Sequence, residues 1–485
     1  MAGIGFQLRK LAQRETLSSV MTASGHAAVI AAGPWLFTIL SLATIGITTE
    51  RLVGLDKLAE FRVVIIYAFA ASLVLAAPVT IVATRLVADA LWLKRPGDVR
   101  PLFLAALSVS LCAVGAGTLL LIAYFRPPAA TAVALLSGSI VVGLIWVVLA
   151  FCGAVRDYNG VTFAFLGGLF VSTAASIAVA ILGGSAAIMV WGFLAGLAVT
   201  FFALAVRVLA TFPQPMTDPL SGFAGLLAGA KDYWRLVLGA LCGTAGVWID
   251  KWILWFSDSS EVLAIGLRHA PLYDSAMFIA SLGIIPALAA FVLRLETDFF
   301  DRYQRYYATI GGHGTYSQIE DARGQLHVHT LENLALVTVG QIGISAVLIL
   351  LAPVLIDALG LQFRQISILR YGALGAVFQF IFIASSAMLL FFDRRRNYLR
   401  VQLLFLGAMA GGTLATVHFG EDYYGVGYFL ACVVAAFVAY RVADRTFADL
   451  NYLTFIGNNP SVTAAQGSGR RGWLGRLRRL VGASA

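Results

Sequence analysis

The sequence predicts an all-α integral membrane protein of about twelve transmembrane helices. They form two six-helix bundles around a central cavity, with both termini cytoplasmic. Three observations predict this. Twelve apolar runs reach bilayer length, charged residues make up only 12% of the chain against 60% apolar, and one polar stretch divides the runs six and six. Soluble domains carry roughly 25% charged residues, so lipid is the solvent that this composition fits. A span needs about 20 apolar residues, because each helical residue rises about 1.5 Å through a hydrocarbon core of roughly 30 Å.

The first bundle, 26–206, holds runs near 26–48, 63–84, 102–125, 132–155, 161–182 and 186–206. Only Gly183, Gly184 and Ser185 separate its fifth and sixth runs. The second bundle, 236–443, holds runs near 236–256, 272–293, 331–356, 369–392, 399–417 and 424–443. Between the bundles, 207–235 reads as a cytoplasmic linker carrying Pro213, Pro215 and Pro219. Within the second bundle, 294–330 reads as a cytoplasmic loop that continues the eighth span as a helix with an aromatic face of Phe299, Phe300, Tyr303, Tyr306 and Tyr307. Its histidines, His313, His327 and His329, read as solvated loop residues.

The ends are basic. Residues 1–25 form a cytoplasmic amphipathic segment, with Ile4, Leu8 and Leu11 on one face and Arg9, Lys10 and Arg14 elsewhere. Residues 444–485 form a basic cytoplasmic tail, polar from 457 and ending in Trp473, Leu477 and Leu480 interleaved with Arg476, Arg478 and Arg479, a membrane-surface pattern. With both termini inside, cytoplasmic segments hold 26 of the 34 basic residues and outside loops hold 7, as the positive-inside rule requires. The net charge of +9 then reflects a face lying near anionic membrane lipid and calls for no nucleic acid. Cys112, Cys152, Cys242 and Cys432 all fall in spans without metal-ligand or pairing pattern, and read as small hydrophobes.

Ionisable groups inside spans are costly, so each is a functional hypothesis. Asp250 and Lys251 sit about two turns from the outer end of the seventh span, among Trp248, Trp252 and Trp255. Neighbours on a helix point about 100° apart, so the expectation is that each faces a cavity or a partner on another helix rather than each other. An interfacial aromatic belt with Lys251 snorkelling outward is the alternative. Gly239, Gly243 and Gly246 thin one face of this span for close helix approach. With Tyr273 and Asp274 at the start of the eighth span, Asp250, Lys251, Trp248 and Trp252 make the candidate transport and gating set. Pro34 and Pro286 break the first and eighth spans and permit kinks. At the cytoplasmic rim, Arg85 with Asp89, spaced i, i+4, and Arg156 with Asp157 read as rim salt bridges in preference to substrate ligands. No catalytic constellation, metal motif, cofactor motif or phosphate-binding loop appears, so the expectation is a transporter rather than an enzyme.

Several motifs together resemble the PelG family of Pel exopolysaccharide secretion, in the polysaccharide branch of the multidrug/oligosaccharidyl-lipid/polysaccharide flippases. They are Met1 to Phe6 with Leu8 to Lys10, Gly33 to Trp35, Thr84 and Arg85 with Asp89, and Arg156 to Tyr158. Trp248 to Lys251, Pro271 to Phe278 with Ile284 to Pro286, Glu296 and Thr297 with Phe299, and Phe392 to Arg395 complete the set. The resemblance covers about 1–455. It implies a multi-pass protein of the bacterial inner membrane that moves Pel-type polysaccharide, rich in N-acetylgalactosamine, from cytoplasm to periplasm in biofilm secretion. It also implies partners: the cytoplasmic glycosyltransferase PelF, which uses UDP-sugar, and the membrane proteins PelD and PelE. Two other readings stay open at this stage. One is a membrane scaffold that anchors and activates the glycosyltransferase, and the other is an ion-coupled exporter of lipid-linked sugars or small molecules with Asp250 as the ion site.

Overall fold

A computed structural model describes residues 38–155, 158–215, 218 and 220–457. Eleven helices among them are long and apolar enough to cross a membrane. In chain order they follow a short helix α1, described over 38–53, which is the remainder of the first expected span. The rest of that span, with Pro34 and the 1–25 segment, lies outside the described residues. So do Arg156, Asp157 and most of the basic tail.

The first bundle continues with α2 (Leu55–Trp92), α3 (Val99–Phe125), α4 (Ala129–Val155), α5 (Tyr158–Ile181) and α6 (Ala186–Thr211). The break after α5 is a tight turn. Gly183 adopts φ 73°, which strains any side chain, and the Ser185 hydroxyl accepts from the Ile188 amide to cap α6. α5 and α6 then pack face to face. Ser172 donates to the Phe193 carbonyl, Ser176 to Met189, and Thr200 to Ala164. Small hydroxyl residues serve well here because lipid tails leave no hydrophobic drive between helices, so close backbones and hydrogen bonds must hold them. The opposite faces are apolar and outward: Phe170 and Phe202 are exposed, as lipid-facing residues must be.

The stretch expected as the inter-bundle linker holds a helix, α7 (Ser221–Asp232), laid against α2 and α3. The second bundle comprises α8 (Trp234–Trp255), α9 (Pro271–Leu282), α10 (Ile285–Arg294), α11 (Phe300–Gly311), α12 (Tyr316–Ala358), α13 (Gln365–Phe391), α14 (Arg395–Phe419) and α15 (Val426–Ala448). α9 and α10 share the eighth span, and Pro286 stands in the first turn of α10, where its missing N–H costs nothing. A two-stranded hairpin, β1 (Glu261–Val262) with β2 (Arg268–His269), joins α8 to α9.

The 294–330 segment differs from its expectation. A π-helical turn, Leu295–Phe299, leads into α11, and α12 begins at Tyr316 behind a Thr315 capping box and runs 43 residues without a break. His327 is therefore on a helix, not in a loop: it bonds Asp444 at 2.9 Å and stacks on Phe447, fastening α12 to α15. Only His313 remains in a turn. Tyr306 on α11 is buried and donates to Asn451, and burial holds its hydroxyl above the usual range.

Candidate functional site

Where the bundles meet, the leading contact is α2 of the first against α8 of the second. α8 is positioned by its glycines. A Cβ at Gly239, Gly243 or Gly246 would come within 2.7, 2.5 and 2.7 Å of Tyr398, Gln402 and Phe405, so α14 fits directly into that bare face. Close packing on α14 leaves the other faces of α8 for α2 and for the charged pair.

Asp250 is fully buried. Contrary to the expectation from helix geometry, it pairs with its neighbour: Lys251 Nζ lies 3.1 and 3.0 Å from its two carboxylate oxygens. The lysine stem is long enough to fold back across the 100° between the two positions, and Nζ also donates to the Val247 carbonyl at 3.3 Å. Tyr273 on α9, itself buried, donates to Asp250 Oδ2 at 2.8 Å. Both carboxylate oxygens are thus engaged, which is what a buried charge requires. Trp248 lies beside this group, its ring 5.8 Å from Lys251 Nζ, and Trp252 packs against the core at partial burial.

Asp274 is treated differently. Its Oδ2 accepts from Trp255 Nε1 at 2.9 Å and from the Ala270 amide at 3.1 Å, whereas its buried Oδ1 has no partner. Asp274 is therefore the carboxylate with unused acceptor capacity, and Asp250 the saturated one. Among the described residues no group of three His, Cys, Asp or Glu is placed to hold a metal ion.

Two clusters join the bundles along the α2–α8 seam. At the end of the seam away from the arginine-rich turns, Tyr67 of α2 stacks on Trp255 of α8 with ring centroids 4.5 Å apart. The Tyr67 hydroxyl donates to the Arg268 carbonyl of the hairpin at 2.8 Å, and Phe125 stacks on Phe256. At the basic end, Arg85 donates to the Leu390 carbonyl at 2.8 Å and pairs with Asp393 at 3.4 Å. Tyr233 donates to Asp89 at 3.1 Å, and burial followed by that carboxylate holds its hydroxyl above the usual range. Arg395 lies over the Tyr233 ring at 4.4 Å and pairs with Asp393. The i, i+4 spacing of Arg85 and Asp89 thus serves two separate partners across the seam instead of one bridge on the rim. Tyr67, Trp255, Tyr233 and Asp393 were not in the candidate set. Trp255 was visible as part of the tryptophan cluster and Asp393 within the motif around Phe392, whereas Tyr67 carries no signal in an apolar run.

Two packed helical bundles meeting along a seam of this kind define a multi-pass helical membrane protein. The chain is similar to a MOP superfamily transporter from Pyrococcus furiosus Vc1 (DSM3638), with a TM-score of 0.60 at 18% identity over 93% of this chain and 99% of that one. It is similar also to the outward-facing conformation of a multidrug resistance MATE family transporter, with a TM-score of 0.58 at 18% identity over 88% and 96%. At such identities the likeness is one of fold. Among curated proteins none matches the sequence. The PelG family, described as "Putative exopolysaccharide Exporter (EPS-E)", matches over residues 1–455, and the chain belongs to it. It is a multi-pass membrane transporter of exopolysaccharide export, and the bacterial inner membrane fits it.

Proposed function

We propose that the protein carries a Pel-type polysaccharide from a cytoplasmic PelF-type glycosyltransferase to the periplasm, by releasing the two ends of the α2–α8 seam in turn. In this reading the basic end faces the cytoplasm, and PelD and PelE are its membrane partners. The observation that carries the proposal is the seam itself: α2 is tied to the second bundle with different chemistry at its two ends, through α8 and the hairpin at one and through Tyr233 and the α13–α14 turn at the other, so one end can part while the other holds. Asp250, Lys251 and Tyr273 form the buried hub that fixes α8 to α9. Trp255 and Asp274 connect that hub to the aromatic end of the seam. The kink before Pro286 gives α9 and α10 freedom to tilt separately.

Glycosidase protection tests this in inverted inner-membrane vesicles supplied with synthase, its membrane partners and UDP-sugar. The expected result is polymer that becomes protected only when this protein is present. Equal synthesis with equal protection in its absence contradicts the proposal. Loss of synthesis altogether would point instead to a scaffold for the glycosyltransferase.

A further inference from the structure

A cavity of about 420 Å³ opens at the basic end of the second bundle, between the antiparallel helices α14 and α15. Its chemistry is graded. Towards the helix termini it is lined by Arg394, Asn397, Arg400 and Arg445 with one apolar residue, Leu453, and further along the helices by Val401, Val438 and Val442. The gradient is written into both sequences. On α14, Asn397, Arg400 and Val401 share one face at i, i+3 and i+4; on α15, Val438, Val442 and Arg445 do so at i, i+4 and i+7. Because the helices run in opposite directions, the basic start of one meets the basic finish of the other.

Among the described residues Arg400, Arg445 and Asn397 have no side-chain bond, whereas Arg394 Nε donates to the Phe392 carbonyl at 3.2 Å. Asp449 lies in the same lining and offsets one of three arginine charges, leaving a net positive site. Beside the groove, Leu430, Val434 and Phe437 of α15 are exposed, continuing an apolar surface along the bilayer-facing side of that helix.

We infer that this groove is a binding site for an anionic phospholipid, whose phosphate is held by Arg400 and Arg445 while its glycerol and proximal acyl chains lie on the valines. An amphiphile is what the grading selects. Guanidinium forks match phosphate oxygens, and a basic pocket between transmembrane helices at the level of the headgroups is where such a phosphate resides. A soluble phosphate would find the same arginines but would leave the valine floor wet. The site goes beyond the polysaccharide path, and bound lipid there would splint α14 to α15 and so brace the helix that seats α8.

The test uses the purified full chain in a neutral detergent, followed by native mass spectrometry and thermal unfolding. Cardiolipin and phosphatidylglycerol should remain bound and raise Tm, while phosphatidylcholine and inorganic phosphate should do neither. Each arginine near the surface contributes about fivefold in affinity, so Arg400→Ala with Arg445→Ala should weaken cardiolipin binding by about 25-fold. Arg396→Ala with Arg441→Ala, an equal charge change on two residues outside the groove, should leave binding unchanged. Should the double variant unfold, Val442→Trp keeps every charge but fills the floor, and it should displace the lipid as well. Equal retention of phosphatidylcholine, unaltered cardiolipin binding in the variants, or matching stabilisation by inorganic phosphate would each overturn the assignment.

Discussion

The two ends of the α2–α8 seam close with opposite chemistry. At one end Tyr67, Trp255, Phe125 and Phe256 meet as stacked rings with a single hydrogen bond to the hairpin backbone. At the other, Arg85, Asp89, Asp393, Tyr233 and Arg395 form a partly exposed ionic cluster. Stacked rings draw on buried area and geometry and are indifferent to salt. Exposed ion pairs contribute little individually and are screened by salt. A transporter that must open one side without the other gains from latches that respond to different perturbations, and in the proposed orientation the charged latch lies at the end where a substrate rich in polar groups would enter.

The largest expected effect is at the aromatic end. Trp255→Ala removes the stack on Tyr67 and the donor to Asp274, and should cost about 3–5 kcal/mol, read as a fall in Tm of the purified protein. Next comes the hub. Lys251→Ala strands the buried Asp250 carboxylate with only Tyr273, and should cost about 3 kcal/mol; adding Asp250→Asn should recover part of that loss. A double variant no more stable than the single one would show that the pair does not neutralise itself. At the ionic end Arg85→Ala should cost under about 1 kcal/mol, yet it should abolish the salt sensitivity of that end. Raising salt from 0.1 to 1 M shortens the screening length from about 10 to about 3 Å, and should loosen this end alone.

The smallest effect concerns pH. Burial, with Arg62 acting in the same direction, pushes His269 of the hairpin below its usual range despite Glu261 nearby. The unfolded chain therefore takes up the proton first as pH falls. Stability should be full above the ordinary histidine value of about 6.5 and should decline as pH drops from there towards the lowered native value. His269→Gln should flatten that decline in thermal unfolding measured across the window.

Much of the architecture is legible in the sequence because lipid imposes it. Apolar run length located the spans, and the glycines at 239, 243 and 246 marked the face of α8 that α14 fills. The same reasoning was right that Asp250 has a partner on another helix, Tyr273, and wrong that Lys251 would turn away from it. Backbone geometry separates their Cβ directions, but a flexible four-carbon stem erases that separation, and only coordinates reveal where Nζ goes. Within the 207–235 linker it did not mark helix α7, although the three prolines cluster at 213–219 and leave that stretch free to be helical. Residues 316–330 are polar enough to suggest a soluble loop, yet they form the lower turns of α12, since polarity marks exposure to water and does not end a helix. The partners of Arg85 and Tyr67 are more than 180 residues away, a separation no local pattern encodes.

The central claim is that the seam has two independent latches, and distance measurement between spin labels across each end tests it most directly. In a background lacking the four native cysteines, one pair would sit at Ala130 and Glu261 and the other at Trp92 and Arg396. The account predicts that Trp255→Ala broadens and lengthens only the first distance distribution, whereas Arg85→Ala or 1 M salt does so only for the second. Ends that move together under either perturbation, or an aromatic end that opens with salt, would contradict it.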